Sequence, residues 1–339
     1  MSASSRILDN FVKSNGSEPI RILGASGQLG YGVPTPAFNA GLERAPHLIG
    51  CDMGSIDPGP YYLGSGELAT APAATRRDLR KVLLGALKLK IPLVIGSAGS
   101  AGAKPHLEQT LAIVREIARE EGLHFRLGVL RADIDKPVLK AALASGGVVS
   151  VDDMPALDAQ EVDVSSNIVG QMGMSAFQRA LAAGVDAIIA GRACDTAIFA
   201  ALPAMAGFPV GPAQHMAKII ECASLCCVPG GRDSILATLD YDGFVIESMA
   251  PQRRATPICV TARRADVPDR GGWWGRGQLS RRRRVGWDRG ADRASYDADV
   301  SSIPPIIRRV DEDVAILIPH RSGCADFPRP VLHGRVLLA

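Results

Sequence analysis

The stretch Ile91-Pro92-Leu93-Val94-Ile95-Gly96-Ser97-Ala98-Gly99-Ser100-Ala101-Gly102 decides how this chain folds. Its first half is an unbroken apolar run of strand length. A strand with no polar alternation must be covered on both faces, and parallel sheets flanked by helices provide that cover. Its second half is a crest of small residues. The glycines permit positive φ and close backbone approach, and the amides with two hydroxyls suit an anion at the mouth of the next helix. A plain βα loop accounts for the same residues equally well.

The neighbouring segments repeat the pattern. Asp78–Lys90 reads as a helix with Leu79, Val82, Leu83, Ala86 and Leu87 on one face and Asp78 near its start. His106–Glu121 is an amphipathic helix with Leu107, Leu111, Val114 and Ala118 on one stripe, stopped by Gly122. Further strands are expected at Arg21–Ser26, His47–Asp52, Phe125–Leu130, Val148–Val151 and Val185–Ala190. Helices are expected at Pro36–Leu42, Lys136–Ala144, Asn167–Ala183 and Ala213–Cys227. Six strand–helix units joined by short loops imply an α/β fold, a mostly parallel sheet with flanking helices, doubly wound and Rossmann-like. After Pro229-Gly230-Gly231, Ile235–Leu239 and Phe244–Ser248 flank Asp240-Tyr241-Asp242-Gly243 as a hairpin. The expected organisation is therefore a disordered Ser-rich tail over 1–19, an α/β domain over 20–230, and the hairpin start of a truncated β-rich region over 231–262. An Arg/Gly-rich tail, 263–339, follows.

The chain has 339 residues, 47% of them hydrophobic and 22% charged, which describes a globular protein with a sizeable core. The longest uncharged run, Thr196–Ala217, is broken by Pro203, Gly207, Pro209, Gly211 and Pro212, so no membrane span is expected. Residues 1–19 lack the apolar core of a signal peptide. Seven cysteines with no Cys-x-x-Cys pair suit a reducing cytoplasm. Cys222 and Cys226 share a helical face, but nothing completes a ligand set, and they read as core. The net charge of +3 belongs to the tail. From Arg263 onward 15 Arg and no Lys oppose 10 acids, whereas the first 262 residues are slightly acidic. The body therefore calls for neither a nucleic-acid nor a membrane partner.

The polar residues fall at one kind of place. Asp52, Ser97, Asp152 and Arg192 with Asp195 all follow the carboxyl ends of expected strands, the edge at which open α/β sheets bind ligands. They are expected to line one cleft. Asp52 opens a long Gly/Pro loop, Cys51–Gly66, that carries a second acid, Asp57, and the pair Tyr61-Tyr62. Asp52, Asp57 and Asp195 are candidates for a general base or for ligands of a divalent cation such as Mg²⁺. His106, beside the crest, is the best-placed imidazole for proton transfer. Gly27 and Gly30 of the Gly27–Gly32 loop, with Ser97, Gly99 and Ser100, are candidates for anion binding, although the glycine spacing is not the dinucleotide fingerprint. The planar fork of Arg192 suits a carboxylate or phosphate. Read as a loop cation, Arg192 should matter more to ligand binding than to stability.

With these residues in view, the chain resembles the acyclic terpene utilization protein AtuA family over residues 20–262. The resemblance rests on Arg21–Gly32, the loop Cys51–Gly66, Ala190-Gly191-Arg192-Ala193-Cys194-Asp195, and the hairpin leading into Pro257. It implies catabolism of branched terpenoid acids handled as coenzyme A thioesters, and so a small carboxylate or acyl thioester ligand. It assigns no catalytic residue.

Beyond Ala262 the resemblance ends. The tail holds all three Trp, half the Arg and the run Arg281–Arg284 without amphipathic organisation. A gene read out of frame explains this composition better than a basic arm on nucleic acid. The tail is expected to pack poorly, with Val310–Pro319 alone apolar enough for a strand. The leading functional expectation is a catabolic enzyme with lyase- or hydratase-type acid–base chemistry on a small carboxylate or acyl thioester. The alternatives are a non-catalytic ligand-binding or accessory subunit of a catabolic enzyme complex and a non-functional frame-disrupted product, and the protein is expected to form a homo-oligomer or to pair with a partner subunit.

Overall fold

The computed structural model describes residues 3–13, 18–54, 58–150 and 155–255, together with three short strand segments at 284–286, 315–317 and 334–337. Strands β1 (Ile20–Gly24), β2 (Leu48–Asp52), β3 (Leu93–Gly96), β4 (Leu127–Leu130), β5 (Val148–Ser150), β6 (Val169–Gln171), β7 (Ala187–Ala190), β8 (Cys227–Val228), β9 (Ile235–Leu239) and β10 (Gly243–Ser248) alternate with ten helices. The helices are α1 (Ala3–Lys13), α2 (Thr35–Glu43), α3 (Tyr61–Ser65), α4 (Pro72–Leu89), α5 (Lys104–Glu120), α6 (Lys136–Ala144), α7 (Ala159–Val164), α8 (Met174–Ala182), α9 (Asp195–Met205) and α10 (Val210–Ile220).

Seven strands form one mixed sheet in the order β10-β9-β1-β2-β3-β7-β4, with the segment 284–286 alongside β10. The five strands from β1 to β4 in that order are parallel, and β9 and β10 are antiparallel. The fully apolar runs of β3 and β7 are buried throughout, as strands covered on both faces must be. The edge strand β4 is only half-buried.

Glycine contacts show the two layers. A Cβ on Gly24 would meet the Ile220 carbonyl of α10, while Leu23, its neighbour on the opposite face of the pleat, packs under Gly41 of α2. Gly85 of α4 abuts Phe38 of α2, and Gly50 of β2 abuts Phe199 of α9. Helices α2, α4 and α5 therefore cover one face, and α8, α9 and α10 cover the other. This is the doubly wound arrangement. The chain leaves β3 through α5 on the first face, passes to β4, and returns through α8 on the second face to insert β7 between them. Strands β3 and β7 are neighbours whose following helices lie on opposite faces, the switch point beside which open α/β sheets bind their ligands.

Several expectations are corrected. The stretch expected as a disordered tail contains α1, whose Ile7 and Phe11 are buried, with Phe11 edge-on to His47 and Phe208. The β9–β10 hairpin does not begin a separate region, because β9 pairs with β1 in the main sheet. Helix α4 begins six residues before Asp78, at Pro72. The segment expected as one helix, Asn167–Ala183, splits into β6 and α8, and the helix expected over Ala213–Cys227 ends at Ile220. Strands β5 and β6 lie outside the main sheet, against segments 334–337 and 315–317. The remaining expectations for 263–339 lie outside the described residues. Among the described residues no helix is long and apolar enough to cross a membrane.

Candidate functional site

Register places Asp52, the last residue of β2, directly beside Gly96 of β3. Gly50 faces α9, so Asp52, two residues on, faces α9 as well. The absence of a side chain at Gly96 makes this possible. A Cβ there would stand 2.3 Å from Ile198 of α9 and 3.1 Å from Asp52 Oδ1. The Asp52 side chain is thus sealed beneath α9 at 4% exposure. Its Oδ2 accepts the Gly54 amide at 3.1 Å, and its Oδ1 has no hydrogen-bond partner. Burial, then the neighbouring Asp195 carboxylate, pushes its pKa up to about 8, against the opposing pull of Arg192, the Gly54 amide and the Ser97 hydroxyl.

The crest after β3 is a tight, strained loop. Ser97, Gly99, Ser100 and Gly102 all adopt positive φ, and for the two serines that conformation costs about 1–3 kcal/mol each. The amides of Ser97, Ala98, Ser100 and Gly102 donate within the protein, to Gly191, Ala190, Ser97 and Ala98 respectively. Ser97 Oγ lies 3.4 Å from both the amide and the carbonyl of Ala193. The crest locks to its neighbours by backbone contact. A Cβ on Gly54 would fall 2.1 Å from Ser100 Cα, and one on Gly102 would fall 2.1 Å from the Arg192 nitrogen.

Arg192 follows β7 and is 3% exposed. Its Nη1 donates to the Ser100 carbonyl at 3.2 Å and its Nη2 to the Ala193 carbonyl at 3.1 Å. Nη2 also lies 3.6 Å from Asp195 Oδ1. Its Nε has no partner. The expectation of a surface loop cation with little part in stability is overturned, because this guanidinium is buried and holds the crest. Asp195, the first residue of α9, is 34% exposed at its side chain and is the open acid of the group.

The Gly27–Gly32 loop has an internal anion. The amides of Gly30, Gly32 and Val33 donate to the Asp78 carboxylate of α4 at 3.0, 2.8 and 3.3 Å, and Arg77 Nε joins it at 2.9 Å. Gly30 sits at φ +101 to make this turn. Gly27 is spent on close packing, with its Cβ position 2.7 Å from the Cys222 carbonyl. Sequence reasoning missed the role of Asp78. Its signal was an acid beside Leu79 in a helix whose buried stripe runs Thr75, Asp78, Val82.

His106 is buried in the first turn of α5, beneath Gly99, and its Nε2 donates to the Tyr62 carbonyl at 2.8 Å. Burial lowers its pKa, partly offset by the carbonyls around it. The imidazole thus ties the Tyr61-Tyr62 segment to the crest. Asp57 and Asp152 lie outside the described residues. The structure brings Asp52, Ser97, Ser100, Arg192 and Asp195 together, and it adds Lys218, Glu221 and Cys222 at the end of α10. Lys218 pairs with Glu221 at 2.9 Å, and Glu221 accepts the Cys222 thiol at 3.1 Å. Burial works against the Lys218 ammonium, but Glu221, with Asp195 and Cys222 beyond it, raises its pKa. Among the described residues no group of three or more His, Cys, Asp or Glu side chains could hold a metal ion.

A doubly wound α/β protein with a buried acid and a buried arginine at its switch point is the class that fold and site define. Residues 73–233 match the model of the family described as acyclic terpene utilisation family protein AtuA. No curated protein and no solved structure matches the chain. The family match includes Gly191–Asp195 and the crest Ser97–Gly102. Arg21–Gly32, Cys51–Gly66 and the β9–β10 hairpin, which also suggested the family, lie outside it.

Proposed function

We propose that the protein is an enzyme of acyclic terpene utilisation that performs acid–base chemistry on a small carboxylate or acyl thioester at the switch point between β3 and β7. The observation that carries this reading is the pairing of a buried, partnerless carboxyl oxygen on Asp52 with a more exposed acid, Asp195, across a buried arginine. Two acids in unlike environments divide into a proton holder and a proton acceptor. Buried polar atoms without partners mark places where a native structure expects a further group, and they concentrate at functional sites. The family's description supplies the metabolic setting. The five described cysteines form no disulfide, which suits the cytoplasmic setting we assign to it.

The test is a thermal-shift and calorimetric screen of acyl-coenzyme A esters and short dicarboxylates, followed by turnover assays on any binder. Binding that Asp195→Asn retains, with turnover abolished, supports an enzyme. Binding without turnover in the wild type would instead favour an accessory ligand-binding subunit.

A further inference from the structure

We infer that Asp52 works as a hydrogen-bond donor rather than as a base, and that with Arg192 Nε it grips the carbonyl oxygen of a substrate whose neighbouring C–H is acidic. This deepens the proposed function and rests on it. The argument starts from atoms already committed. Oδ2 of Asp52 accepts the Gly54 N–H, so a proton on this side chain belongs on Oδ1, the oxygen without a partner. Nη1 and Nη2 of Arg192 each donate, to the Ser100 and Ala193 carbonyls, and Nε is the guanidinium nitrogen without a partner. The two partnerless atoms of the buried group are thus Oδ1 and Nε, and with the proton on Oδ1 both are donors.

Charge supports the same assignment. Burial and the Asp195 carboxylate favour neutral Asp52 at neutral pH. A neutral acid beside an arginine is suited to an oxygen that gains negative charge during reaction, as a carboxylic acid kept protonated by an apolar site can stabilise an oxyanion. It is unsuited to a cation. Asp195, the open acid, is left as the base.

The step balances without a further reagent. Asp195 removes a proton from the carbon next to the carbonyl, and the C–H electron pair becomes a carbon–carbon π bond. The carbonyl π pair moves onto oxygen, where Asp52 O–H and Arg192 Nε–H hold it. Reprotonation of the carbon from Asp195 reverses the step. The substrate class is thus a thioester or ketone with a hydrogen on the adjacent carbon, and a free carboxylate, already an anion, is the poorer substrate.

The decisive variant is Asp52→Asn. Its amide nitrogen can donate from the place of Oδ1–H while its oxygen accepts from Gly54, so it imitates the protonated acid. Deuterium incorporation next to the carbonyl of isovaleryl-coenzyme A in D2O is followed by mass spectrometry. We expect exchange in the wild type and, in Asp52→Asn, slower exchange that is still about tenfold or more faster than in Asp52→Ala. Losses of about 100-fold or more are expected in Asp52→Ala, the range seen when one oxyanion donor is removed. Asp195→Asn should bind but not exchange. If Asp52→Asn is as inactive as Asp52→Ala, Asp52 acts as a carboxylate and the inference is overturned.

A second readout needs no substrate. The infrared difference spectrum between wild type and Asp52→Asn at pH 7 should contain a protonated-carboxyl stretch, and its absence also overturns the inference, even if Asp52→Ala fails to fold. Binding of the thioester without exchange in the wild type overturns the carbon-acid step alone. Failure of every acyl thioester to bind strikes instead at the proposed function.

Discussion

At Asp52, position in the sheet and titration are one fact. The carboxyl follows a fully buried strand, so ionising it in the folded protein costs more than ionising it in the unfolded chain. A folded-state pKa of about 8 against an ordinary 3.8 means that the folded state keeps a proton the unfolded state has released. The stability linked to this group is therefore complete below about pH 4 and is lost as pH rises towards 8, by about 1.4 kcal/mol per pH unit. Asp52→Asn cannot ionise and escapes that loss. Urea denaturation across pH should find the variant close to wild type near pH 4 and more stable at pH 8; a gap independent of pH would contradict the raised pKa. Arg192→Ala is expected to lose about 3 kcal/mol, since two bonds from a buried charged group disappear. Lysine at that position should not restore it, because one ammonium cannot span the Ser100 and Ala193 carbonyls as the fork does.

At the scale of elements, loops on this edge are held by other elements rather than by their own sequences. The loop after β1 depends on Asp78 from the middle of α4, which receives three of its amides. Asp78→Ala leaves those donors without their acceptor, at about 1–3 kcal/mol for a buried group. A total near 3 kcal/mol is expected, together with faster hydrogen exchange at Gly30 and Gly32. Unchanged exchange there would show that the loop holds itself. The crest after β3 depends on backbone proximity. Gly54→Ala would drive a Cβ into the Ser100 backbone, which cannot rotate away as a side chain can. A cost of about 1–3 kcal/mol is expected from overpacking, with loss of ligand binding, measured against Gly211→Ala, where nothing lies within 4 Å.

For the whole molecule, the site draws on parts of the chain far apart in sequence, and on both sides of the family match. Ser97, Arg192 and Asp195 lie inside residues 73–233, while Asp52 and Gly54 lie outside them. The molecule also extends its core with its first helix. Ile7 and Phe11 are buried, and Ser4 Oγ donates to the Leu181 carbonyl at 2.7 Å. Burying two such apolar side chains is worth about 4 kcal/mol, so deletion of residues 1–13 should lower Tm by roughly 10 °C. No change would mean that α1 does not dock in solution.

Local chemistry along the chain was enough for the central strands of the sheet and the long helices beside them. The apolar runs of β2, β3 and β7, the stripes of α4 and α5, and the hairpin of β9 and β10 are periodicities, and a periodicity records which side of an element must leave water. The edge on which Asp52, Ser97 and Arg192 gather followed as well, because each stands just after such a run. Only the tertiary structure decided that β7 lies between β3 and β4, since strand order comes from contacts between distant segments that no local period encodes. The same holds for three features of this edge: that Asp78 satisfies the loop after β1, that Arg192 is buried with two of its nitrogens committed, and that burial beside Asp195 raises the pKa of Asp52. Each depends on which groups are brought near and how much water is excluded, and those are properties of the packed molecule.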